Sequence, residues 1–141
     1  MQKASTRLGV CLVLALGAAR ADEPQARFDG VWTTVVTCYP ADGAVPYTYE
    51  FTSTVKNSLF HGERGVKGTP GWLQLEGRIL PDGSAGLAAQ GLVGKERAAM
   101  EHSPPGTPYK YRIDARFSDN SGSGRRVEGR TCKVSFKRKA A

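Results

Sequence analysis

Cys38 closes the first alternating stretch of this chain and Cys132 lies in the last. A bond between them would dictate which two strands are neighbours, and so restricts the fold more than any other feature. The bond is expected from the compartment. Lys3 and Arg7 precede an uncharged apolar run from Leu8 to Ala19, and Ala19-Arg20-Ala21 has the small-x-small form of a cleavage site. That is a secretory signal peptide over residues 1–21, followed by a single exported β domain over residues 22–141. The run is shorter than the roughly 20 apolar residues of a spanning helix. It also removes Cys11, leaving two cysteines for an oxidising compartment, periplasmic or extracellular, where they pair. Chain entropy assigns such a bond about 4–5 kcal/mol for a loop near 100 residues. That is comparable with the net stability of a small domain.

Hydrophobicity alternates with period two, the mark of half-buried antiparallel strands. Gly30-Val31-Trp32 opens the first strand, within Phe28 to Cys38. In Val45 to Asn57, Tyr47, Tyr49, Phe51, Ser53 and Val55 share one face and Thr48, Glu50, Thr52 and Thr54 the other. Lys56-Asn57-Ser58 is a tight turn, and Leu59 to Arg64 a short strand. Trp72 to Ile79 and Ala85 to Val93 are strands joined through Leu80-Pro81-Asp82-Gly83-Ser84, whose Pro and Gly suit a β-turn. From Tyr109 to Ser118, Tyr109, Tyr111, Ile113, Ala115 and Phe117 face one way, with Lys110, Arg112, Asp114 and Arg116 opposite. Asp119 to Gly124 reads as a turn by composition, and Arg125 to Arg138 as the last strand.

This pattern predicts an all-β fold, a single small antiparallel barrel of seven or eight strands, with a β-sandwich as the alternative. The eighth strand depends on Lys95 to Met100, which suits a strand or a helical turn equally. If the first and last strands pair with Cys38 opposite Cys132, then Val36 faces Val134, Thr34 faces Phe136 and Trp32 faces Arg138. A cation would then lie over the indole. That register requires an even number of strands in a simple meander.

Gly30-Val31-Trp32 resembles the G-x-W signature of the lipocalins and the wider calycin group. The resemblance implies a calycin-like barrel whose Trp is covered by a basic residue of the final strand, here Arg138 or Arg130, and a small-ligand function. Ser121-Gly122-Ser123-Gly124-Arg125-Arg126 is similar to the Ser-Gly loop of bacterial periplasmic lysozyme inhibitors, which implies binding to a cell-wall enzyme. The chain as a whole resembles exported proteobacterial proteins of unknown function.

The chemistry of the side chains narrows the function. Without Lys3, Arg7 and Arg20 the net charge falls from +7 to +4, and the excess gathers from Arg125 to Lys139. The expected reason for that cluster is protection of an edge strand from aggregation. An anionic partner is the other reading. His61 alternates with Glu63, and His102 lies between Glu101 and Ser103, but neither set has the ligand number of a metal site or the form of a nucleophile elbow. No catalytic residue, metal or cofactor is expected. Tyr47, Tyr49, Tyr109 and Tyr111 all sit near strand ends, where they would line a barrel mouth. The loop from Gly94 to Pro108 leads into Tyr109 and would form a lid. The expected function is a non-enzymatic exported barrel that binds a small or extended ligand at that mouth. The alternative is a protein-interaction module of the lysozyme-inhibitor kind. The expected partner is a small ligand or a cell-envelope component, with no nucleic acid and no stable membrane insertion after leader cleavage.

Overall fold

The structure, a computed structural model, describes Gly17 and residues 26–140. The leader and its cleavage site, Gly17 apart, lie outside these residues. Eight antiparallel strands close into a barrel in simple sequential order: β1 (Gly30–Cys38), β2 (Tyr47–Lys56), β3 (Leu59–Arg64), β4 (Leu73–Arg78), β5 (Ser84–Leu92), β6 (Pro108–Phe117), β7 (Ser121–Arg126) and β8 (Cys132–Arg138). The sandwich alternative is thereby replaced by a closed barrel.

The closing seam is β1 with β8. Cys38 pairs with Cys132, Val36 with Val134, Thr34 with Phe136 and Trp32 with Arg138. Cys38 and Cys132 form a disulfide with 94 residues of sequence separation. An even strand number makes the two ends antiparallel, as this register requires. The barrel abolishes free strand edges, and β8 is bonded on both sides, to β7 and to β1. Edge protection therefore does not account for the basic residues of the C-terminal stretch.

The eighth strand is not Lys95 to Met100, which forms two 3-10 turns at Glu96–Ala98 and Met100–His102. It is Ser121–Arg126, whose composition reads as a turn. The physical reason lies in its inward positions. A Cβ on Gly122 would lie 3.0 Å from Phe117 Cδ1, and one on Gly124 would lie 2.9 Å from Ile113 Cγ2. Neighbouring side chains fill the interior there, so β7 sets Gly122 and Gly124 inward and Ser121, Ser123 and Arg125 outward, with Arg126 the one inward side chain at its open end. No hydrophobic period marks it. The last strand accordingly begins at Cys132 rather than Arg125.

The two ends of the barrel differ. At one end Phe117 is the hub of an aromatic plug, with ring centroids 5.4 Å from Trp32, 5.8 Å from Phe60 and 4.6 Å from Phe136. Such pairs add about 0.5–1.5 kcal/mol each beyond their buried area. Phe28 packs beneath them, and its carbonyl accepts the Trp32 indole N–H at 2.9 Å. Arg138 lies 5.0 Å from the Trp32 ring and donates to the carbonyls of Arg27 and Asp29, which holds the segment before β1 across this end. Asp29 in turn accepts the backbone N–H groups of Asn57 and Ser58, two successive residues with positive φ in the β2–β3 turn. Among the described residues, the opposite end carries no such plug.

Candidate functional site

The open end carries the seam disulfide and the first residues of β2 and β6. Alternation turns Tyr47 and Tyr49 inward from β2 and Tyr109 and Tyr111 inward from β6. Tyr47 and Tyr49 lie 4.8 Å apart, and Tyr109 stacks on Tyr111 at 6.0 Å. The neighbouring strand makes room for them. A Cβ on Gly91 of β5 would sit 2.5 Å from the Tyr109 hydroxyl and 2.6 Å from the Trp72 carbonyl oxygen, so only glycine allows the Tyr109 ring its position.

The segment between β5 and β6 crosses this end as a lid. Its base is closed by the hydrogen bonds Val93 N to Thr107 O and Gly106 N to Val93 O. Its far side reaches the β1–β2 connection, where Val45 N donates to Arg97 O at 2.8 Å. His102 lies against Gly43 there. Beneath the lid is a cavity of about 230 Å³. Tyr47, Tyr49 and Tyr109 line it from the barrel, Ala98, Ala99 and Met100 from the lid, and Arg126 and Arg130 from the side. Tyr111, expected at the mouth, is set deeper: it is 7% exposed and its hydroxyl has no hydrogen-bond partner among the described residues.

Arg130 organises this end and carries no recognisable motif in the sequence. It is 4% exposed. Its guanidinium donates to the carbonyls of Tyr39, Val45 (3.1 Å) and Ala98 (2.8 Å), and lies 5.2 Å from the Tyr47 ring. One side chain from the β7–β8 turn thus ties together the exit from β1, the entry to β2 and the lid. Arg126 lies 4.3 Å from the Tyr111 ring, with its Nε bonded to the Glu128 carbonyl. Arg64 lies 3.7 Å from the Tyr49 ring and donates to the Gly71 carbonyl.

Burial is the first cause that raises the hydroxyl pKa of Tyr47, and neighbouring Tyr49 adds to it against the pull of Arg130 and Arg126. Burial likewise pushes Tyr109 and Tyr111 well above the ordinary value of 10.0, with Tyr47 the next contributor in each. These hydroxyls stay neutral and able to donate. The raised folded-state values also make a prediction. Below about pH 10 both folded and unfolded chains hold the protons, and stability is unaffected. Above it the unfolded chain ionises first, so stability should fall steadily as the pH rises. Absorbance of tyrosinate followed alongside urea melts checks this: Tyr47, Tyr109 and Tyr111 should ionise only as the barrel unfolds. Ionisation of all the tyrosines in an intact barrel would contradict it.

Neither histidine lines the cavity. His61 is on the outer wall, 2.9 Å from Glu76 and 3.5 Å from Glu63, and Glu63 also accepts the Trp72 indole N–H. His102 is exposed on the lid. Among the described residues no group of three or more His, Cys, Asp or Glu side chains is placed to hold a metal ion. No described helix is long and apolar enough to cross a membrane. Ser121–Arg126 is a strand of the wall, so the Ser-Gly loop on which the inhibitor resemblance rests is absent. No protein-family model matches this chain, and neither a curated protein nor a solved structure matches it.

Proposed function

We propose that the chain is an exported, non-enzymatic barrel that binds one small planar ligand, bearing an acid or carbonyl group, beneath the lid. The observation that carries this reading is the cavity of about 230 Å³ between the tyrosines and Ala98–Met100. It lies just below the size of most small-molecule sites and so suits a small occupant. Tyrosine faces supply flat apolar contact, and neutral hydroxyls supply donors. Lys95, Arg126 and Arg130 outnumber Glu101 around the cavity, which favours an acceptor or an anion. Export is supported by the leader pattern of residues 1–21 and fits the disulfide.

Ala99 offers a direct test, since it lines the cavity from the lid. Calorimetric titration with a panel of small aromatic acids and amides should reveal binding to the native protein. Ala99→Trp should fill the space and reduce that binding at least about tenfold, equivalent to 1.4 kcal/mol, without changing the barrel's melting behaviour. Binding that survives Ala99→Trp would place the ligand elsewhere and remove this reading.

A further inference from the structure

Closure of the barrel leaves the basic outer wall without the protective role that an edge strand would give it. On the outside of β5 to β8 and β1 runs an open groove of about 1120 Å³. Arg112 and Arg116 of β6, Arg125 of β7 and Lys133 of β8 line it, with Asp114 the one carboxylate among its lining residues. All four cations are exposed, and none makes a side-chain ion pair among the described residues. The floor between them lies low because its residues are small: Ser84, Gly86, Ser123 and Ser135. The glycine-serine alternation that builds β7 thus makes a concavity outside as well as room inside.

We propose that this groove binds a linear acidic polysaccharide, whose carboxylates lie along the four cations while the serine hydroxyls meet its sugar hydroxyls. The dimensions favour a polymer over a single anion. Strands about 4.8 Å apart spread the groove over roughly 19 Å from β5 to β1, and Arg112 and Arg116 stand about 13 Å apart along β6. Repeating charge on a flexible chain matches that spacing. A nucleic acid fits less well. Single strands are held by stacked aromatic rings, and the one aromatic in the groove, Tyr39, is already covered by Lys133 at 5.8 Å. A duplex is entered by a protruding helix or ribbon, whereas this wall is concave. A bilayer surface is too flat to enter it.

Labelled oligogalacturonate provides the probe, measured by fluorescence anisotropy at low salt with the full chain. It should bind the native protein, and binding should weaken as salt rises. Arg112→Ser with Arg125→Ser should weaken it about tenfold or more, corresponding to 1.4 kcal/mol. Lys56→Ser, an exposed cation on β2 outside the groove, should leave it unchanged. The methyl-esterified oligomer should not bind. The Ala99→Trp variant should bind as the native protein does, which separates this site from the mouth. No binding at low salt, an equal loss in Lys56→Ser, or tighter binding of oligothymidylate or anionic vesicles would overturn the proposal. Melting curves for each variant establish that the barrel is intact.

Discussion

Replacing Arg130 with methionine should cost about 3 kcal/mol and lower the melting temperature by roughly 12 °C. Methionine keeps the volume and the apolar stem but removes every donor. The carbonyls of Tyr39, Val45 and Ala98 then lose their partner together. A buried carbonyl left unpaired costs about 1–3 kcal/mol, and water entering at the mouth recovers part of it. The second consequence is local. The lid is held to the β1–β2 connection by Arg130 and by the bond from Val45 N to Arg97 O. Without the first, the second should open more often, and hydrogen exchange at Val45 should accelerate by more than exchange in the β5–β6 ladder. Arg130→Lys should restore little, because one ammonium cannot reach three carbonyls in a fixed fan. A melting temperature within a few degrees of native would show that the guanidinium does not hold this end together.

Reduction of the seam disulfide should have the larger effect on global stability. Cys38 and Cys132 enclose a loop set by 94 residues of separation, for which chain entropy gives about 4–5 kcal/mol. Small domains have about 5–15 kcal/mol in total. In this topology the bond also acts where closure is most costly. Every other strand pair joins neighbours in sequence, whereas β1 and β8 must meet from opposite ends of the domain. Cys38→Ala with Cys132→Ala should therefore shift the urea midpoint downward by about a third to a half, given the same slope. Because Cys38 pairs with Tyr47 on its other side, the mouth should loosen before the Trp32 end does. An unchanged midpoint in reducing buffer would mean that the β1–β8 ladder closes the barrel unaided.

The seam was the part of the fold most readable from the residues. Two cysteines in a chain whose leader pattern predicts export, together with alternation around each, lead to the register that pairs Trp32 with Arg138. The inward tyrosines were readable for the same reason, since alternation assigns a face. Two features were not. β7 was hidden because two of its inward residues, Gly122 and Gly124, are glycines and the third is Arg126, which leaves no hydrophobic period to detect. Arg130 was hidden because its partners are backbone carbonyls. They belong to segments 32 to 91 residues away, so no local spacing reports them. The signal that could have drawn notice is its place beside Cys132, where a turn residue must face the closed seam. Tyr111 differs from its three companions by depth: it lies two residues further into β6 than Tyr109, and alternation assigns a face but not a depth.

Backbone and side-chain NMR shifts during titration with benzoate test most directly whether the tyrosine-lined end holds the proposed ligand beneath its lid. Shifts should concentrate at Tyr47, Tyr49, Tyr109 and the lid residues from Val93 to Thr107, and the aromatic plug around Trp32 and Phe117 should stay still. Benzoate shifts that leave the tyrosines unmoved at millimolar concentration, or that fall mainly on the outer wall, would contradict the account.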